Sequence, residues 1–254
     1  MKPRTGIFGL SGCWGEQIVI LNCEDQFLDL VGAVEIADFL GGSSVNDEEG
    51  PLELAFVEGS VGSARDEAAL RRIRERAGLL VACGTCACFG GVAAMNGDVP
   101  RDELLSLVYG PAGSGYDVRP HRPLHDFVKV DAALPGCPME KEAFLQAVAC
   151  LLNGDRPQAA VYPVCAECKM LERDCLLLSA HLPCAGPVTA AGCGARCPGF
   201  NVPCIGCRGF VEEANRRSMR DILAKSGFTD QDILRRLRTF AAPALDRLDQ
   251  EDRA

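Results

Sequence analysis

The sequence contains no apolar run approaching the roughly 20 residues that a helix needs to cross a bilayer, so direct membrane insertion is not expected. It also lacks an excess of positive charge. Thirty-five acidic side chains face 26 basic ones, for a net charge of −9. A phosphate backbone is repelled on average, which excludes nucleic acid as the expected partner. Local basic stretches such as RRIRER (71–76) read as the solvated face of a helix. No secretory leader is expected, since MKPRTG runs straight into an apolar, strand-like segment. Sustained heptads are missing, and nothing repeats except pairs of cysteines.

Cysteine is what the chain has in abundance: 15 in 254 residues. Seven fall between Cys13 and Cys150, and eight between Cys165 and Cys207. The odd total, the missing leader and the CxxC spacing disfavour a secreted disulfide framework. Thiolates held on iron or zinc in a reducing compartment are the favoured state.

In the first part of the chain GIFGL (6–10), LELAFVEG (52–59), LLVACG (79–84) and FVKVDAALPGCP (127–138) read as buried strands, and QAAVYPVC (158–165) as a last short one. Helical spacing runs through QIVILNCEDQFLDLV (17–31), and Ser63 starts a helix that stops near Gly78. RDELLSLVYG (101–110), within a long loop excursion, and MEKEAFLQAVACLLNG (139–154) supply further helices. Strands alternating with helices predict a mostly parallel sheet with helices on both faces, an α/β fold. Each strand delivers a chemically marked loop at its C-terminal end: Cys13, Glu58, Cys86, Cys137. In an open parallel sheet the site lies at that edge, where strand order reverses. The four loops are therefore expected to converge.

From about residue 158 to 215 the texture changes to PVCAECKMLERDC and LPCAGPVTAAGCGARCPGFNVPCIGC, with too little aliphatic content for a core of its own. Cys165 and Cys168 form one CxxC, Cys204 and Cys207 another, Cys193 and Cys197 a CxxxC, with Cys175 and Cys184 filling the remaining places. Eight thiolates make two four-sulfur shells. Soft sulfur favours zinc or iron–sulfur centres over hard cations. Two structural zincs are the plainer reading; a further cysteine site at the sheet edge favours a line of redox centres. Helices are expected at VEEANRRSMRDILAKSG (211–227) and TDQDILRRLRTFAAPALDRL (229–248).

SGC (11–13), FVEGSV (56–61), CGTCACFGG (83–91), LPGCP (134–138) and the cysteine series of 175–207, in that order, resemble the small electron-transferring subunit of nickel–iron hydrogenases. The likeness is strongest to the cytoplasmic, methyl-viologen- or F420-type enzymes. A related subunit of NADH dehydrogenases shares the front part but normally lacks the two-cluster extension. The resemblance implies a flavodoxin-like domain over 1–157, a C-terminal cysteine-rich iron–sulfur domain over 158–215 and a helical tail over 216–254.

It also implies three [4Fe-4S] clusters. Cys13, Cys86 and Cys137 match the proximal site; Cys165, Cys168, Cys175 and Cys184 the distal one. Cys193, Cys204 and Cys207 match the medial site, with Cys197 filling a fourth position. The implied role is a cytoplasmic relay without catalytic residues. Its neighbours would be a hydrogenase-like large subunit and a flavin or iron–sulfur subunit. The alternatives are a large partner without nickel, a complex-I-like module, or a zinc scaffold.

One motif departs from the pattern. The family usually begins C-x-G-C, where this chain has Cys13-Trp14-Gly15-Glu16. Glu16 stands in the place of the fourth proximal ligand, as a harder oxygen donor. Glu58, Cys23 and Cys88 remain alternatives, as do an open iron, a three-iron form and no cluster. Trp14 reads equally as a cluster shield or as an ordinary packing residue, and His121, His125 and His181 are not expected to be ligands.

Overall fold

The computed structural model describes residues 2–251. Five parallel strands form one sheet: β1 (Arg4–Gly9), β2 (Glu35–Phe39), β3 (Leu52–Glu58), β4 (Ala77–Cys83) and β5 (Ala132–Leu134). Their spatial order is β2-β1-β3-β4-β5, the order of flavodoxin-like doubly wound sheets. Successive residues of a strand point to opposite faces, and both faces are covered here. Leu54 and Phe56 pack with Ile20 of α1 (Gly15–Leu21), Leu30 of α2 (Asp25–Ala33) and Phe144 of α6 (Lys141–Leu152). Ala55 and Val57 face the other way, against Leu70 of α3 (Ala64–Arg76) and Ala87 of α4 (Gly84–Phe89). This double burial is why β3 is apolar almost throughout.

Several boundaries differ from those read in the sequence. The single helix expected over 17–31 is broken into α1 and α2 at Asn22–Glu24, where Glu24 has φ 50°. β2 carries Glu35 and Asp38, whose charges meet Arg4 and Arg76, so no apolar pattern announced this edge strand. Ser63 caps α3 as expected, its Oγ accepting from Asp66 N at 3.1 Å. The helix then ends at Arg76, and Gly78 lies inside β4 rather than at a stop. The strand expected over 158–165 does not form. Pro157 precedes it and Pro163 lies inside it, Pro lacks the ladder donor, and only an isolated bridge between Pro163 and Ala190 remains.

α5 (Arg101–Tyr109) belongs to the loop excursion before β5. The later region holds the short helices α7 (Val164–Met170), α8 (Leu176–Ser179) and α9 (Arg196–Gly199), then α10 (Arg216–Lys225) and α11 (Asp230–Glu251). It buries Val164, Leu177 and Val188 against Met219 and Leu223 of α10 and Ile233, Leu237 and Leu245 of α11. The tail thus supplies the apolar wall that the cysteine-rich segment lacks. α11 departs from helical geometry at Ala241, just before Pro243, and packs onto α4. Arg247 of α11 pairs with Asp126 at 3.0 Å. Among the described residues no helix is long and apolar enough to cross a membrane.

Candidate iron–sulfur sites

The C-terminal edge of the sheet gathers the loops after β1, β3, β4 and β5. Leu10 N donates to Glu58 O at 3.0 Å, and Ser60 N to Ser11 O at 2.8 Å, so the first two loops run side by side. Thr85 N donates to Gly136 O at 2.8 Å and Thr85 Oγ1 accepts from Gly136 N at 3.2 Å. That clasp joins the start of α4, which carries Cys86, to the loop carrying Cys137. Burial pushes the Cys86 thiol up to about 12, helped by the negative charges of Cys137, Glu16, Cys13 and Glu58. These contacts bring the loops that carry Cys13, Glu58, Cys86 and Cys137 to one edge of the sheet. Cys13 and Cys137 are exposed, whereas Cys86 is half-buried.

Two glycines make room for this edge. Gly91 has φ 65°, and a Cβ on it would lie 2.9 Å from Cys86 Cα and still closer to Sγ. Gly84 has φ 79°, and a Cβ there would lie 2.7 Å from Glu16 Cγ and closer to its carboxyl.

Glu16 and Glu58 are buried, 5% and 2% exposed, in contact with each other. Glu58 Oε1 accepts from Gln17 Nε2 at 3.1 Å, whereas among the described residues Oε2 is buried without a donor. Burial first, then the hydrogen bond and charge of Glu58, raise the Glu16 carboxyl to about 8, against the pull of the Glu16 and Met139 N–H groups. A protonated Glu16 supplies the hydrogen bond between the two carboxyl groups, which two carboxylates could not form.

The sign for stability follows from proton counts. In the iron-free chain, between about pH 4.5 and 8, the folded state holds a proton that the unfolded state has released. Stability should therefore fall as pH rises through that window and level off above it. Glu16→Gln should flatten the slope. Trp14 is the only tryptophan and adjoins the site, so its fluorescence melting midpoint against pH is the measurement.

Of the alternative fourth donors, Cys23 is fully buried under α1, its Sγ 3.5 Å from Val19 O. Cys88 is buried among Ala55, Val57 and Leu80 on the opposite face of the sheet from Cys83. Both behave as small apolar residues. Trp14 is half exposed at the N-terminus of α1. His121 Nδ1 lies 2.8 Å from Ser60 Oγ, His125 Nε2 3.1 Å from Arg247 Nη2, and His181 is exposed.

The eight later thiols fall into two neighbouring groups. Cys165 is raised to about 11 by burial and then by Cys184, Cys175 and Cys168. Cys197 feels Cys193, then Cys184; Cys207 feels Cys193 and Cys197; Cys204 feels Cys184 and Cys207. Cys184 stands between the groups, its Sγ accepting from Cys204 N at 3.2 Å. Gly186 lies against both Cys165 and Cys184: a Cβ would sit 3.4 and 3.5 Å from their sulfurs. Glu167, inside the first CxxC, accepts from Gly192 N at 2.7 Å and Ala195 N at 3.0 Å, which fixes the loop of Cys193. The front and rear meet where Cys207 accepts a hydrogen bond from the Cys137 backbone and Thr85 Oγ1 donates to Cys207 O.

All fifteen cysteines are free. Buried thiols that raise one another hold their protons unless a cation replaces them, and metal binding releases those protons. The donor set therefore fits soft metal. Among the described residues no three His, Cys, Asp or Glu side chains converge on a single ion. A four-iron cluster holds its thiolates further apart than one tetrahedral ion does. Sequence reasoning missed Thr85, Glu167 and Arg208, which hold the loops through backbone groups; no spacing rule marks such contacts.

A flavodoxin-order sheet with cysteines along its C-terminal edge, continued by a cysteine-rich extension, defines a class of redox subunit. The profile of the family described as NADH ubiquinone oxidoreductase, 20 Kd subunit, matches residues 13–151. The sulfhydrogenase 2 subunit delta of Pyrococcus furiosus is 40% identical over 94% of this chain and 99% of its own length. A subunit of the F420-non-reducing hydrogenase of Methanocaldococcus jannaschii is 29% identical, covering 84% of each chain. Among solved structures, an NAD+-reducing [NiFe]-hydrogenase chain superposes with TM-score 0.56 at 28% identity, covering 62% of this chain and 95% of that one. A chain of the actinobacterial-type NiFe-hydrogenase of Ralstonia eutropha shares the fold over 99% of this chain and 90% of its own, with TM-score 0.62 at 17% identity. The protein belongs to the 20 kDa subunit family, among the small electron-transfer subunits of hydrogenases.

Proposed function

We propose that this chain is the iron–sulfur electron-relay subunit of a [NiFe]-hydrogenase-like oxidoreductase and has no catalytic residue of its own. The observation that carries the reading is the unbroken succession of thiols. It runs from Cys13, Cys86 and Cys137 through Cys207, Cys193, Cys197 and Cys204 to Cys184, Cys165, Cys168 and the exposed Cys175. The proximal site would be held by Cys13, Cys86 and Cys137, with Glu16 the oxygen donor at its fourth position once its proton is released. Cys193, Cys197, Cys204 and Cys207 would hold the medial cluster, and Cys165, Cys168, Cys175 and Cys184 the distal one. Each [4Fe-4S] centre, when bound, supplies one-electron chemistry. The chain supplies thiolates, spacing and burial.

On this reading residues 1–157 carry the proximal site, 158–215 the other two, and 216–254 serve as a helical tail. Trp14, Ile18 and Leu21 are exposed at the start of and along α1, the helix that follows the exposed Cys13, and suit a large hydrogenase-like subunit there. Met170 and Leu178 are exposed on the helices that carry or follow the distal cysteines, and suit a flavin or iron–sulfur neighbour. A cytoplasmic setting keeps the thiols reduced.

Anaerobic purification with the native partners tests the assignment. About twelve irons and as much acid-labile sulfide per chain are expected. Zinc without sulfide would overturn it. Nickel in the large partner separates a hydrogenase from an assembly whose large subunit performs another reduction.

A further inference from the structure

Arg208 is a charged side chain in the interior, 6% exposed, and among the described residues no carboxylate pairs with it. Its guanidinium donates through Nη1 to Pro135 O at 2.6 Å and through Nε to Ala191 O at 2.8 Å. Nη2 lies over Gly192, where a Cβ would come within 2.6 Å of it. Pro135 precedes Cys137 by two residues, Ala191 precedes Cys193 by two, and Arg208 itself follows Cys207. The positive charge is thus fixed between the loop of the proximal site and two loops of the medial one.

A buried cation that meets only carbonyl dipoles is costly unless a negative charge stands nearby. Thiolate-ligated iron clusters carry net negative charge, and no carboxylate takes that role here. We propose that Arg208 is the shared counter-ion of the proximal and medial sites and raises the reduction potential of both. This rests on the relay reading given above. A site that gains one electron gains one negative charge, and a nearby fixed cation in a low-dielectric interior favours that state. No bond forms or breaks; the electron enters from one protein neighbour and leaves to the other. Because one charge serves two neighbouring sites, their potentials are raised together.

The test uses the assembled complex carrying Arg208→Lys, Arg208→Met or Arg208→Gln, with iron and sulfide counted before an anaerobic redox titration followed by electron paramagnetic resonance. Lysine keeps the charge and loses the fork, methionine loses both, and glutamine keeps neutral donors. With iron retained, the neutral variants should shift the proximal and medial potentials negative. The expected shift is about tenfold in the reduced-to-oxidised ratio at fixed potential, about 59 mV for a one-electron couple. The distal potential should stay in place and the lysine variant should remain near the parent. Loss of proximal and medial iron in both neutral variants but not in the lysine variant would also support the counter-ion. Unmoved potentials, equal shifts in all three variants, or equal iron loss in all three would overturn it and leave Arg208 a structural fork. A parent complex without iron would instead overturn the relay reading itself.

Discussion

Gly91→Ala should strip the proximal site of iron and leave the other two loaded, lowering the count from about twelve to about eight per chain. Two effects combine at this position. The backbone sits at φ 65°, where an L side chain costs about 1–2 kcal/mol. The added methyl would also overlap Cys86, 2.9 Å from its Cα and closer to its sulfur. Cys86 has nowhere to go, because Thr85 is clasped to Gly136 on one side and α11 packs on α4 on the other. Gly32→Ala is the matched control: it lies inside α2, the added methyl would meet nothing within 4 Å, and alanine is the better helix former. Iron and sulfide assays with low-temperature magnetic resonance read both variants. Full iron in Gly91→Ala would show that the proximal centre does not use Cys86.

The sheet was legible where burial on two faces forced an unmistakable pattern. β3 and β4 lie in the middle, and LELAFVE and AGLLVAC are nearly continuous apolar runs. β2 lies at the edge and mixes Glu35 and Asp38 with Ile36 and Phe39, so periodicity could not separate it from the preceding helix. The break between α1 and α2 was hidden for a related reason. Apolar spacing continues across Asn22–Glu24, and only the backbone shows the turn, with Glu24 at positive φ. Cysteine positions were readable because their chemistry is local and their spacing is set by short loops. The groups that hold those loops were not. Arg208 looks like any surface arginine in a polar turn until the fold brings Pro135 and Ala191 to it. Glu16 was legible as a substitution in a motif, but its partner Glu58 sits 42 positions away and meets it only because β1 and β3 are neighbours.

Removal of iron should divide the molecule. Anaerobic chelation is expected to expose residues 158–215 to trypsin at Lys169, Arg173 and Arg196 while the front sheet stays resistant. The front has two apolar layers, with Phe39, Phe56, Phe144, Leu70 and Leu80 almost fully buried, and needs no metal to account for its core. The rear core is different in kind. Cys184 and Cys204 belong to it, and most of its remaining apolar mass comes from α10 and α11 rather than from the segment itself. Structural zinc sites supply about 10–16 kcal/mol in zinc-finger peptides, against about 5–15 kcal/mol of net stability for a whole domain. On the proposed assignment, losing two such centres exceeds what this small core can hold. Once the rear loosens, α10 and α11 lose the surface they cover, and α11 should release α4 as well. Reconstitution with iron and sulfide should restore protease resistance. If the rear resists trypsin equally with and without iron, its fold does not depend on bound metal, and the eight thiols would need another explanation.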